Sequence, residues 1–156
     1  MLEIEIPGYT RLHLEHLVLD VNGTIAKDGL LIKGVKDLLT ELRPSLNIHL
    51  ITADTHGRQE AIDRTLSLTA IRISDQNQAQ AKLCYIEGLG SEKVAAIGNG
   101  ANDAAMLESA ALGICILGPE GTASAALLKA DVIAPDICAA LELLTRPRRL
   151  MATLRR

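Results

Sequence analysis

Short runs of apolar residues alternate along the chain with segments in which apolar positions recur every three or four residues. The runs are Leu17-Val18-Leu19, Ile48-His49-Leu50-Ile51 and residues 70–73, 94–97, 112–116 and 131–133. Short continuous runs of this kind suit strands buried on both faces, as in the middle of a parallel sheet. Between them, helical spacing predicts a helix over 34–42 (Val35, Leu38, Leu39, Leu42), closed by Pro44. Further helices are predicted over about 55–68, with Ala61, Ile62, Thr65 and Leu66 on one side, and over 76–87, with Ala79, Leu83 and Ile86 inward and Gly88 and Gly90 ending it. The spans 102–111, 121–128 and 136–144 complete the helical set. Ahead of the first run, Leu2-Glu3-Ile4-Glu5-Ile6 alternates and stops at Pro7-Gly8, predicting a hairpin region over 2–19 that leads into the first central strand. Asp28-Gly29 is a second hairpin signal and predicts a small flap. Strands alternating with helices imply an α/β fold: a doubly wound, three-layer α/β/α, Rossmann-like parallel sheet formed by one domain over 1–156. The basic tail 146–156, with five arginines, reads as a solvated, partly helical end.

Composition narrows the function classes. A chain of 156 residues can bury roughly 68–70% of its unfolded surface. Aromatic residues are only 1%, so the core must be Leu, Ile, Val and Ala, and base stacking has almost no platforms. With a formal charge of −3, neither a nucleic acid nor a membrane surface meets a global basic field. No apolar run is long enough to span a bilayer, and Met1-Leu2-Glu3 begins no signal peptide. Cys84, Cys115 and Cys138 are odd in number and widely spaced, as expected of reduced thiols in a cytoplasmic protein.

Polar residues break the apolar pattern at the strand ends. Asp20 follows the first run, Thr52 and Asp54 the second, and Asn99, Asn102 and Asp103 the fourth, while Lys82 stands on the helix after the third. In an open α/β sheet these positions gather at one rim. Together they supply what phosphoryl transfer through an aspartyl phosphate needs. A carboxylate attacks phosphorus, a hydroxyl holds a phosphoryl oxygen, a fixed ammonium offsets charge, and a divalent cation sits on acidic oxygens. Backbone N–H groups from Val21 through Gly23 to Thr24 would complete an anion cradle. Taken singly the residues say less: Thr52 and Asp54 suit helix caps, and Lys82 a surface lysine. Gly98-Asn99-Gly100 lacks the third glycine of a dinucleotide loop, because position 103 is Asp103. His13, His16, His49 and His56 show no ligand spacing and read as structural, while Lys27, Asp28 and Arg58 could meet substrate.

The ordered set resembles the haloacid-dehalogenase-like superfamily of phosphotransferases. Asp20-Val21-Asn22-Gly23-Thr24 is similar to its Asp-x-Asp-Gly-Thr motif, Thr52 to the second motif, Lys82 to the motif lysine, and Gly98-Asn99-Gly100-Ala101-Asn102-Asp103 to Gly-Asp-Gly-x-Asn-Asp. The stretches 50–54 and 94–107 are most similar to the phosphorylation domain of P-type ATPases, and the whole to small soluble phosphatases of that type. The resemblance implies a HAD-like fold and a Mg²⁺-dependent phosphatase working through phospho-Asp20. Asp20, Asn22, Thr52 and Lys82 would be catalytic. Val21, Gly23, Thr24, Thr52 and Asn102 would bind the phosphoryl group. Asp20, the Asn22 carbonyl, Asn99 and Asp103 would hold the cation. The gaps 23–34 and 73–82 leave no room for a cap domain. An open rim admits a phosphorylated small molecule or macromolecule, or is covered by a second subunit in a homo-oligomer.

Two residues depart from the family pattern, each an asparagine where an aspartate is usual. Asn22 cannot serve as a general acid or base, a contribution worth about 10²–10⁴-fold. Asn99 can coordinate Mg²⁺ through its side-chain oxygen, with one negative charge fewer. These substitutions also admit an alternative, a low-activity or non-catalytic regulatory domain that binds phosphate and metal. Both asparagines precede glycine, a pairing whose backbone nitrogen can attack the side-chain amide and convert it to aspartate.

Overall fold

A computed structural model describes residues 1–53 and 57–156. The chain opens with an antiparallel hairpin, β1 (Leu2–Ile6) and β2 (Thr10–Leu14), and continues directly into β3 (His16–Asp20). A flap follows, β4 (Ala26–Lys27) and β5 (Leu30–Leu31), turning at Asp28 (φ 50°) and Gly29 (φ 75°). Two left-handed residues in a row make the turn whose twist suits a tight hairpin, which is why Asp-Gly is found there. Then come α1 (Val35–Leu42), β6 (Asn47–Thr52), α2 (Gln59–Leu66), β7 (Ile71–Arg72) and α3 (Gln78–Leu89). The last part runs β8 (Val94–Gly98), α4 (Ala104–Ser109), β9 (Leu112–Ile116), α5 (Ser124–Lys129), β10 (Val132–Ala134), α6 (Ile137–Thr145) and α7 (Pro147–Leu154). Single 3₁₀ turns precede β8 and α4.

Six strands form a parallel sheet in the order β10-β9-β8-β3-β6-β7. The apolar runs require this, because β3, β8 and β9 are buried along nearly their whole length and must be covered on both faces. Leu17, Leu19, Leu50, Ile97 and Ile114 face one layer, packed by α1, α2, α6 and α7. Val18, Ile51, Ala96 and Cys115 face the other, packed by α3, α4 and α5. The chain leaves β3 to build β6 and β7 on one side, then returns to build β8 on the other. The carboxyl end of β3 therefore lies at a topological switch point, the crevice where open α/β sheets hold their ligands.

Elements were placed correctly by the pattern, and several boundaries differ. Helix α2 begins at Gln59 rather than near residue 55, and Asp54, Thr55 and His56 lie outside the described residues. Helix α3 passes through Gly88 and ends at Gly90, whose φ of 88° suits glycine. Helices α4 and α5 are shorter than predicted because a 3₁₀ turn and an extended segment take their first residues. Asp136 caps α6, accepting from the Ala139 N–H at 2.8 Å.

The basic tail differs most from its sequence reading. It is a helix, α7, opened by Pro147 at its first turn and docked on the hairpin through Leu150, which is fully buried. Arg146 and Arg149 pair with Glu142, and the Arg156 guanidinium lies 4.8 Å over the Tyr9 ring. No helix among the described residues is long and apolar enough to cross a membrane. Leu150→Ala should cost about 2–5 kcal/mol in a urea titration, as for other buried leucines; a change under about 0.5 kcal/mol would show that the tail is not part of the core.

Candidate active site

The site is built at the carboxyl ends of β3, β6 and β8, with α3 supplying a side chain from one layer. Asp20 ends β3 and is 7% exposed. Lys82, on the inward face of α3, is 1% exposed and gives its ammonium to two carboxylates, Asp20 Oδ1 and Asp103 Oδ1, both at 2.6 Å. The other oxygen of Asp103 accepts the Asn99 and Gly100 N–H groups at 3.0 and 2.9 Å. Three nitrogen donors thus hold Asp103, tying the Asn99-Gly100 turn to the lysine. Gly98 makes room for this: a Cβ there would lie 2.5 Å from the Asp103 carboxyl.

The loop after β3 folds over Asp20. Thr24 Oγ lies 3.0 Å from both Asp20 Oδ2 and Asn99 Oδ1. A hydroxyl has one proton and donates to one of them at a time. The Asn99 amide is oriented by its Nδ2–H, which donates to the Gly121 carbonyl at 2.7 Å. Asn22 Nδ2 donates to Thr52 Oγ at 3.3 Å, linking the loop to the end of β6. Gly23 adopts φ 78°, and a Cβ on it would crowd Glu120 and Asn99 at 3.1 and 3.2 Å. The amides of Gly23 and Thr24, expected in an anion cradle, donate instead to Ala26 O (2.8 Å) and Val21 O (3.1 Å) inside the turn. The glycine nitrogens that would attack the preceding asparagines are themselves held in hydrogen bonds, Gly23 N–H to Ala26 O and Gly100 N–H to Asp103. Both side chains act as amides, each giving an N–H that a carboxylate lacks.

A cleft of about 190 Å³ opens over these groups, lined by Asp20, Asn22, Lys82, Asn99, Asn102, Gly100, Ala53 and Gln78. Thr52, Thr24 and Asp103 stand behind its wall, buried and hydrogen-bonded to residues that line it. Gln78 was not foreseen. It stands one helical turn before Lys82, and that spacing on α3 was the available signal. Its Oε1 accepts from Asn102 Nδ2 at 2.6 Å. The flap beside the cleft is pinned at its tip: Asp28 N–H donates to Glu120 (2.9 Å) and Arg58 donates to the Asp28 carbonyl (3.0 Å). The described histidines lie elsewhere, His16 and His49 sharing a 3.0 Å contact at the far end of the sheet with Tyr85 2.8 Å beyond. The three cysteines are free.

Among the described residues, charge in the site is unbalanced. One ammonium between two ionised carboxylates leaves one buried negative charge over. Burial, and then the charge of Asp103, push the Asp20 carboxyl from 3.8 up to about 7, against the pull of Lys82 and Thr24. Burial works against the Lys82 ammonium as well, but the two carboxylates outweigh it and raise its pKa. The surplus charge, with the oxygens of Asp20, Asn99 and Thr24 converging on one shared proton, fits a hard cation on oxygen ligands. Among the described residues no group of three His, Cys, Asp or Glu side chains could hold a metal, so asparagine and backbone oxygens would have to complete the shell.

Because the folded chain keeps the Asp20 proton up to about pH 7, against 3.8 ordinarily, it loses stability as pH rises through that window. Asp20→Asn cannot ionise. In EDTA at about pH 8 the variant should melt higher than the wild type, by on the order of 5 °C, with the gap closing toward about pH 4. A gap that stays constant with pH would contradict the charge imbalance.

A family model for haloacid dehalogenase-like hydrolases matches residues 65–132, which include Lys82, Asn99, Asn102 and Asp103. An uncharacterized protein of Methanocaldococcus jannaschii is 47% identical over 79 residues, covering 48% of this chain and 85% of that protein. Among solved structures, the fold is similar to 3-deoxy-D-manno-octulosonate 8-phosphate phosphatase from Moraxella catarrhalis, solved with magnesium, phosphate and KDO. The TM-score is 0.65 at 19% identity, covering 92% of this chain and 94% of that one. It is also similar to the catalytic domain of the CPx-ATPase CopB-B, with TM-score 0.61 and 25% identity over 75% of this chain and 46% of that one.

Proposed function

The chain belongs to the haloacid dehalogenase-like hydrolases, and on that premise we propose that it is a Mg²⁺-dependent phosphatase in which Asp20 carries the phosphoryl group. The observation that carries the reading is Lys82, buried and shared between Asp20 and Asp103 at 2.6 Å. That contact holds the nucleophile at the mouth of the cleft and keeps an ammonium beside the reacting oxygen. An Asp20 oxygen bonds to phosphorus as the bond to the leaving oxygen breaks, and the electron pair departs with the leaving group. Water then attacks the same phosphorus, releasing inorganic phosphate and restoring the carboxylate.

Asn102, on the wall of the cleft, binds a phosphoryl oxygen in this reading, and Thr52, buried behind that wall, positions Asn22. Asp20, the Asn22 carbonyl and Asn99 hold the cation, which when bound offsets charge on the phosphoryl oxygens. Asp103, expected as a ligand, is better read as the anchor of Lys82 and of the Asn99-Gly100 turn, because three N–H donors already occupy its carboxylate. The phosphatase solved with magnesium and phosphate supports this choice of cation. Asn22 can donate a hydrogen bond to a departing oxygen but cannot surrender a proton. Leaving groups stable as anions, such as acyl and aryl phosphates, should therefore turn over faster than alkyl phosphates.

Asp20→Asn should lower turnover on the order of 10³-fold or more across a panel of phosphate esters, and EDTA should abolish activity that Mg²⁺ restores. Turnover that survives Asp20→Asn would overturn the reading. Asn22→Asp should raise alkyl-phosphate turnover about 10²-fold while changing acyl-phosphate turnover little; equal effects on both would show that Asn22 does not set the leaving-group preference. The amide hydrogen bonds of Asn22 and Asn99 favour a second reading, a phosphate-binding regulatory domain. Beryllium fluoride bound without measurable hydrolysis of any ester would select it.

A further inference from the structure

Among the described residues, the phosphatase reading accounts for every polar side chain lining the cleft except Gln78. This residue is half-buried at the first turn of α3, four positions before Lys82, so both side chains leave the helix on one face. Its carbonyl oxygen is committed, accepting from Asn102 Nδ2 at 2.6 Å. Gly100 leaves room for this amide, since a Cβ there would lie 2.7 Å from Asn102 Oδ1, and the Asn102 nitrogen points to Gln78. One N–H of Asn102 is thereby used and the other is left for a phosphoryl oxygen. The nitrogen of Gln78 has two N–H groups of its own, and among the described residues neither meets an acceptor. An uncharged donor pair therefore stands on the wall of the cleft, beside the group that would hold the phosphate.

We propose that Gln78 is a specificity-determining residue whose amide N–H groups receive a carbonyl or carboxylate oxygen on the leaving group, next to the scissile bond. The substrate class this selects is the acyl phosphate, or a phosphate carrying a carboxyl oxygen in the same place. The proposal rests on the phosphatase reading and gives it a substrate. It agrees with the chemistry of Asn22: when the bond between phosphorus and an acyl oxygen breaks, the electron pair leaves on a carboxylate, and no proton is required. A cationic residue at position 78 would attract any anion. A neutral donor pair selects by hydrogen-bond geometry, so an analogue without the acceptor leaves it unpaired.

The test compares wild type with Gln78→Met and Gln78→Glu, two substitutions that remove the donors, Gln78→Glu keeping the oxygen that holds Asn102. Kinetically, the ratio of kcat/KM for acetyl phosphate to that for phenyl phosphate should fall about tenfold in both variants, the worth of one neutral hydrogen bond. A side chain with only a structural role would lower both substrates together and leave the ratio unchanged. Binding of two inert analogues, phosphonoacetate and methylphosphonate, is measured in parallel by calorimetry. The wild type should prefer phosphonoacetate, and both variants should lose about tenfold of that preference. A wild type without the preference, or variants that retain it, would overturn the assignment. Selective binding without any turnover would instead leave Gln78 standing and bring down the phosphatase reading.

Discussion

The buried ammonium of Lys82, held between the carboxylates of Asp20 and Asp103, is the constraint on which the rest of the site depends. Removing three charged groups from water costs several kcal/mol for each ion, and an attraction of this kind repays it only with close geometry and full hydrogen bonding. The structure meets both conditions: each carboxylate lies 2.6 Å from the ammonium, the outer oxygen of Asp103 has two further N–H donors, and that of Asp20 shares the Thr24 hydroxyl with Asn99. The lysine reaches that position because α3 packs its apolar face on Val18, Ile51 and Ala96, bringing residue 82 over the carboxyl end of β3. Packing in the apolar layer therefore sets the distance at which the charged layer operates.

The same triad explains why the surrounding loops are so heavily tied. An odd count of buried charges favours anything that supplies a positive one, and the oxygens nearest Asp20 come from Thr24 and Asn99, on loops remote in sequence. Those loops hold their shape through amide contacts, Asn99 to Gly121 and Asn22 to Thr52. An aspartate at either position would lack the donor that makes the contact. The substitutions thus remove acid–base capacity and charge, and in exchange fix the loop after β3 and the turn after β8 by hydrogen bonds that need a carboxamide.

Much of this was legible before any coordinate. The runs at 17–19, 94–97 and 112–116 had to be inner strands because nothing in them is polar enough to face water. Asp28-Gly29 had to be a tight turn because few residue pairs accept two successive positive φ angles. The gathering of Asp20, Thr52 and Asp103 followed from their places at or just beyond strand ends of one parallel sheet, and that of Lys82 from its helix after the third apolar run. Other features gave no local signal. Nothing in 146–156 marks Leu150 as core, since its partners lie in a hairpin at the other end of the chain. Helix α2 starts at Gln59 because Gly57, at φ 62°, and Arg58, at its N-terminal cap, stand outside the helix although the apolar period ahead of Ala61 gives no sign of it. Gln78 went unnoticed because a glutamine on a helix is ordinarily solvated, and only contact with Asn102 gives it a task.

By itself the sequence determined the order of strands and helices, the residues that could do chemistry, and the edge of the sheet where they collect. These depend on periodicity, turn geometry and side-chain type, which are properties of short windows. Tertiary structure decided how those residues share the work. It spent the Gly23 and Thr24 amides inside a turn, assigned both oxygens of Asp103 to nitrogen donors, and left a negative charge uncompensated beneath the cleft. The physical reason is that a hydrogen bond or a buried charge has meaning only with its partner. Around Asp20 and the flap beside it the partners stand up to 92 residues apart, as Asp28 and Glu120 do, so packing alone brings them together.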